Sequence, residues 1–329
     1  MAVIVTAALI GAVVAGLSQG MAAASARASG SSTISVYPES DPGGPWEWYR
    51  SCLFLPSVKI PPSGGKCQSS DPVFGPVVLN GDLWNLDTTA SGGVTMQNGA
   101  GGALAVSAHF PAARPKSSST WVLGYPNISY GIEPQSAADS PTPSASLPLP
   151  MKFTTVPTVL GTTKYEVSGT STTRFDFAYD MWLEPQETVE TPRAGTLEIM
   201  VWMDYANHAL PPDYRGKVLL DYAVNGVAEN GQWFVYLPVG KVSGTTTVVL
   251  ALTNPLSKAN FAIALTGAIQ RAESALKQYD PSEWPSFSNY YLDSISLGSE
   301  FGLKEGSSSL GPLSWDLSDY SLGVGSKLP

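Results

Sequence analysis

The sequence is 329 residues long, enough for one large all-β domain or two smaller ones. Its formal net charge is −9, and no basic patch interrupts it, which argues against nucleic acid as a partner. Asp, Glu, Lys and Arg make up only 14% of the residues, against about 25% in ordinary soluble domains.

Residues 1–26, "MAVIVTAALIGAVVAGLSQGMAAASA", form an uncharged apolar segment followed by small residues. They read as a signal peptide with an A-x-A-like end at Ala24–Ser25–Ala26, although the usual N-terminal Lys or Arg is missing. The apolar run from Ala2 to Leu17 is shorter than the roughly 20 residues a spanning helix needs. Cleavage is therefore expected, with a secreted protein that has no membrane association; an uncleaved anchor is the alternative. Residues 27–45 are polar and Pro/Gly-rich, a flexible lead-in, and 46–329 are expected to form one domain.

Cys52 and Cys67 lie close together in a Pro/Gly-rich region. In an exported protein they read as a disulfide closing a small loop, a reactive thiol being the alternative. Two His and two Cys at no ligand spacing give no transition-metal site.

From about residue 46 onward, short β-rich runs alternate with turn signals. They include "PVVLN" at 76–80, "LAVSAHF" at 104–110, "TRFDFAYDMWL" at 173–183, "GKVLLDYAV" at 216–224 and "LSWDLSDYSL" at 313–322. Many short strands so punctuated indicate a β-sandwich or jelly roll. The segment "PQSAADSPTPSASLPLP" at 134–150 has a linker's composition and is either a domain boundary or a long surface loop. One stretch breaks the β pattern. In 257–279, Phe261, Leu265, Ala268, Ile269, Ala272, Leu276 and Tyr279 recur at helical spacing, with Ser257 as a candidate cap and Pro281 as the stop.

Several chemistries lack their motif. There is no G-x-S-x-G, His109 and His208 have no Ser or Asp companion by motif, and no phosphate-cradling glycine loop follows a strand. The carboxylates are more informative. In "TLEIMVW" at 196–202, Leu197, Ile199 and Val201 alternate with Glu198, Met200 and Trp202. In "FDFAYDMWL" at 175–183, Phe177, Tyr179 and Met181 alternate with Asp176, Asp180 and Trp182. In "DSISLGSEFG" at 293–302, Ile295, Leu297 and Phe301 oppose Ser294, Ser296 and Glu300. A period of two puts one set on a core and the other on a second face. If the strands are neighbours, Asp180, Glu198 and Glu300 converge in an aromatic-lined groove. Two opposed carboxyls are the minimum equipment for glycosidic hydrolysis, one protonated and the other ionised.

These motifs occur in a recognisable order: "LW" at 83–84, "GYPNISYG" at 124–131, "YDMWL" at 179–183, "EIMVW" at 198–202 and "GSEFG" at 298–302. Together they resemble glycoside hydrolase family 12 over about residues 45–325. The resemblance implies an all-β jelly roll of two curved antiparallel sheets with one α-helix packed on the convex side. It implies a retaining endo-β-1,4-glucanase acting without cofactor on a β-glucan polysaccharide, with xyloglucan or mixed-linkage glucan as alternative substrates and a monomer expected. By motif, Glu198 would be the nucleophile, Glu300 the general acid/base and Asp180 the residue that hydrogen-bonds and orients the nucleophile. Met200 would pack under the reacting sugar and Trp84 would stack on the non-reducing side.

Asp82 stands where many members have Asn, and "GSEFG" lacks one residue before its last Gly. Tyr125 and Asn127 either line the cleft or make a turn, and Asn127 also opens a glycosylation sequon. Trp182 and Trp202 fall on the cleft side by parity; Trp46 and Trp48 either floor one end of the groove or pack the cysteine loop. A non-catalytic lectin on the same sandwich would need the aromatics and not the three acids.

Overall fold

The computed structural model describes residues 31–36, 46–49, 73–87, 89–98, 103–118, 120–134, 141–187, 192–207, 213–237, 244–282 and 285–329. The expected signal peptide, Cys52, Cys67 and His208 lie outside them, as do the side chains of Trp46 and Trp48.

The described residues form, in chain order, β1 (Ser32–Ser35), β2 (Trp46–Tyr49), β3 (Val73–Phe74), β4 (Val77–Asn80), β5 (Ser91–Asn98), β6 (Leu104–Ala112), β7 (Val122–Gly124), β8 (Asn127–Gly131), β9 (Met151–Lys152) and β10 (Val159–Gly169). There follow β11 (Thr173–Glu184), β12 (Leu197–Ala206), β13 (Tyr214–Val224), β14 (Val227–Tyr236), β15 (Thr246–Leu252), β16 (Lys258–Ala264), helix α1 (Leu265–Tyr279), β17 (Tyr291–Gly298), β18 (Phe301–Leu303) and β19 (Leu310–Val324). One layer runs β4–β8–β17–β11–β12–β15–β14. The other runs β2–β5–β6–β19–β10–β16–β13. The β13–β14 hairpin joins them. Among the described residues every pairing is antiparallel except β12 with β15.

Burial along the strands separates the layers by function. Strand β6 alternates buried and exposed residues from Leu104 to Phe110, the mark of a face open to water. Strand β11 is buried at nearly every position, so its second face is covered too. Between the layers lie Phe177, Tyr179, Trp233, Phe261, Trp315 and Tyr320, all fully buried. Tyr165, Phe177 and Trp315 link the layers through ring contacts of 4.8 and 5.6 Å. Each such apolar side chain contributes about 1.5–3 kcal/mol of transfer free energy.

The structure shortens the expected helix. Residues 258–264 are the strand β16, held extended by ladders to β10 on one edge and β13 on the other, so helical spacing there is overridden by pairing. Ser257 is not a cap: its carbonyl accepts the Val167 amide at 2.7 Å, and α1 starts after Ala264 with no side-chain cap. The remaining stripe of Leu265, Ala268, Ile269, Ala272 and Leu276 is buried as expected and extends the main core. The helix ends at Tyr279, just before Pro281.

The expected lead-in is also partly ordered, because Ser32–Ser35 pair with Val324–Ser321 at the end of β19. In the linker-like segment, Leu147 and Leu149 are buried, and the Tyr130 hydroxyl donates to the Leu147 carbonyl at 2.7 Å. The described part of that segment is therefore a loop packed onto β8.

Candidate active site

Cross-strand register lays the second face of β17, β11, β12 and β15 out in rows. One row is Ser129, Ser296, Asp180, Met200, Val249 and Tyr236. Beside it on one side run Gly131, Ser294, Trp182, Glu198 and Thr247. On the other side run Asn127, Gly298, Ala178, Trp202, Ala251 and Phe234. Sequence parity placed Asp180, Trp182, Glu198, Met200 and Trp202 on one face, and the rows put them there together. Leu197, Ile199, Val201 and Met203 go to the main core.

Glu198 is half-buried and accepts a hydrogen bond from the Thr247 hydroxyl at 2.6 Å. Burial raises its pKa, and the Thr247 bond, which favours the ionised form, opposes that rise. Asp180 is 2% exposed and accepts the Trp182 indole N–H at 2.9 Å, while its other oxygen has no partner. The hydrogen bond expected between Asp180 and Glu198 is therefore not the one the structure contains. Register explains why: Trp182 stands opposite Glu198, and Asp180 stands opposite Met200. Burial, followed by the charges of Glu198, Glu133 and Glu300, pushes the Asp180 carboxyl well above the ordinary range.

Glu300 sits in the short link between β17 and β18, beyond the third row. Gly298 shapes this link, because a Cβ there would lie 2.3 Å from the Pro126 carbonyl oxygen. The expected close approach at this glycine is thus made by the Pro126–Asn127 backbone, where β8 begins. The link is pinned to β11, with the Asp176 amide donating to the Glu300 carbonyl at 3.1 Å and the Ser299 hydroxyl donating to the Asp176 carbonyl. These ties set the Asp176 and Glu300 carboxyls next to each other, and each influences the other's ionisation. Burial and then the Asp176 and Glu198 charges drive the Glu300 pKa well up, with Arg174 as the opposing cation.

The β4–β8 end of the floor is polar. Glu133 is buried and accepts from Asn80 at 2.9 Å and from the Ser296 hydroxyl at 2.9 Å, with Asn127 at 3.4 Å. Asn127 opens β8 and is fully buried, which settles its role as a strand residue and closes the sequon to a glycan. Tyr125, 4% exposed, donates its hydroxyl to the Ala178 carbonyl at 3.3 Å. Asp82 has a φ of +34°, held by its amide donating to the Asn80 side chain at 2.8 Å and its carbonyl accepting the Tyr125 amide at 3.0 Å. That turn carries the half-buried Trp84.

The opposite end is aromatic. Met200, Trp202, Tyr236, Ala178, Val249 and Ala251 form their own apolar cluster, with Tyr205 and Phe234 packed on it. Trp202 lies 6.1 Å from Tyr236 and 5.9 Å from Tyr205, and Tyr214 continues the series 5.9 Å beyond Tyr236. A bulge between Phe177 and Ala178 in the β11–β12 register lets Trp202 and Tyr205 share a face three residues apart.

The sequence matches the model of glycosyl hydrolase family 12 over residues 75–322. The chain belongs to that family. It is therefore a glycoside hydrolase, and family 12 is also where its structural likenesses lie. A family 12 xyloglucanase from Bacillus licheniformis, solved with a ligand, has a TM-score of 0.54 at 19% identity, covering 78% of this chain and 97% of that one. An endo-1,4-β-glucanase described as a cellulase gives 0.55 at 16% identity over 78% and 96%. A metagenome-derived family 12 endoglucanase gives 0.53 at 17% identity over 90% and 98%. At these identities the likeness establishes the jelly-roll fold alone. No curated protein matches the sequence.

Sequence reasoning missed Glu133, Thr247, Tyr236 and Asn80 and left Asp176 without a role. Asp176 carried the same parity signal as Asp180. Thr247 and Tyr236 sit on runs whose neighbours only register reveals, and Glu133 follows β8 outside any alternation.

Proposed function

We propose that this family 12 enzyme is a secreted, retaining endo-β-1,4-glucanase that cleaves internal bonds of cellulose or a related β-glucan. The observation that carries this reading is the contrast between its two glutamates. Glu198 receives a hydroxyl hydrogen bond that favours its ionised form. Burial and the neighbouring Asp176 and Glu198 charges push the Glu300 pKa up, which favours its protonated form. Opposed settings of this kind assign nucleophile and acid. A floor crossing seven strands, polar at one end and aromatic at the other, suits a chain of sugars rather than a single one. Secretion rests on the apolar leader.

In the first step the Glu198 carboxylate bonds to the anomeric carbon as the glycosidic C–O bond breaks, and the Glu300 proton passes to the departing oxygen. In the second, Glu300 takes a proton from water, whose oxygen bonds to the anomeric carbon as the ester to Glu198 breaks. Met200 lies in the floor between the two acids' rows. The enzyme should release reducing ends from carboxymethylcellulose, mixed-linkage glucan or xyloglucan, with a rapid fall in viscosity and β-configured products by NMR. Binding without reducing-end release would support the lectin reading instead, and initial α-products would overturn retention.

A further inference from the structure

Asp176 is fully buried, and neither of its carboxylate oxygens has a hydrogen-bond partner among the described residues. The ties between the Asp176 amide and the Glu300 carbonyl, and between the Ser299 hydroxyl and the Asp176 carbonyl, bring the Glu300 carboxyl next to it, and the two groups influence each other's ionisation. Two carboxyls so placed can hydrogen-bond only if one member carries a proton. The two backbones are fixed to each other by the Asp176 amide and the Ser299 hydroxyl, so the pair is a built feature of the β11–β18 junction.

We infer that Asp176 is a positioning residue for the acid catalyst, sharing one buried proton with Glu300 and aiming it at the leaving oxygen. The inference rests on the proposed role of Glu300. The titratable groups facing the pair are Glu198 on β12, Asp180 on β11, the neutral Tyr125 hydroxyl and Arg174. Glu198 and Asp180 oppose a second negative charge in the pair, and the Arg174 guanidinium, stacked 4.4 Å over the Trp121 ring, offsets it. When Glu300 gives its proton to the departing oxygen, the pair becomes a dianion. It recovers one proton from the attacking water, so the pair's discomfort as a dianion makes Glu300 a stronger base in the second step.

The test is carboxyl 13C NMR titration of the full chain labelled at Asp and Glu, with Glu300 assigned from Glu300→Gln. In the unaltered protein, Asp176 and Glu300 should titrate together as a two-step coupled pair. In Asp176→Asn, which keeps shape and removes the charge, Glu300 should lose its proton at lower pH than in the unaltered protein. The pH profile of kcat/KM should be displaced, while Asp176→Ala should lose at least tenfold in kcat. Independent one-step titrations in the unaltered protein would overturn the pair even if no variant folds. So would an Asp176→Asn protein with unchanged Glu300 titration and pH profile. Coupled titration in a chain that hydrolyses no β-glucan would support the pair and overturn the function proposed above.

Discussion

Trp182 stands directly across the β11–β12 ladder from Glu198, yet gives its indole N–H to Asp180 at 2.9 Å. The ring therefore packs beside one carboxylate and ties down another. Asp180 is left with one bonded oxygen and one unpartnered oxygen in a buried setting.

Replacing that donor should be costly. Trp182→Phe keeps most of the packing and leaves the Asp180 carboxyl with no protein donor. Stranding a buried polar group costs about 1–3 kcal/mol. The melting temperature should fall accordingly and kcat/KM should drop. An unchanged melting temperature would mean that the Trp182–Asp180 bond contributes nothing net.

Thr247→Val removes the hydroxyl that favours ionised Glu198. The folded-state pKa of Glu198 is already raised by burial, and losing Thr247 raises it further. Because the nucleophile must be ionised, the acidic limb of the pH–kcat/KM profile should move to higher pH. Activity at the acid end should fall severalfold more than at the optimum. A uniform loss at every pH would argue against this role for Thr247.

The two glutamates should separate by leaving group. Glu198→Gln should abolish turnover of every substrate. Glu300→Gln should lose about 10²–10⁴-fold on polysaccharide and keep glycosylation by an activated aryl glycoside. Azide should then rescue that variant with a β-configured product. Rescue of Glu198→Gln with inverted product would exchange the roles.

Stability should rise toward acid pH. Asp293 is fully buried, its oxygens have no donor, and burial followed by the Glu184 charge raises its pKa to about 9. The folded protein thus keeps a proton that the unfolded chain releases above about pH 4. Its contribution is whole below that value and is lost as pH climbs toward about 9. Asp204, raised to about 6 by burial, adds to the same trend over a lower window. Thermal unfolding should occur at higher temperature at pH 5 than at pH 8, and Asp293→Asn should raise the pH 8 value. A maximum at pH 8 in the unaltered chain would contradict this.

Much of this arrangement was legible in the sequence, because alternation has only two phases. Once Ile199 and Val201 face a core, Glu198 and Met200 must face away from it, and the same holds for Tyr179 against Asp180. Parity within one strand says nothing about which residue stands beside it on the next. The partner of Glu198 proved to be Thr247, on a strand that only the fold brings alongside, and the carboxyl brought next to Glu300 proved to be that of Asp176. The helix was overextended for a related reason. Phe261 satisfies the helical stripe and the buried face of a strand equally well, and the two ladders around β16 decide between them.

The parallel pairing of β12 with β15 carries a consequence for how the enzyme comes into being. The two strands can lie side by side only after the whole β13–β14 hairpin has travelled to the other layer and returned. Thr247 meets Glu198 across 49 residues of chain. Long closures of this kind are paid for in entropy before any contact rewards them, and they slow folding. On refolding from denaturant, hydrolytic activity should therefore return later than the docking of Trp233 on Tyr222, which lie within the single β13–β14 hairpin.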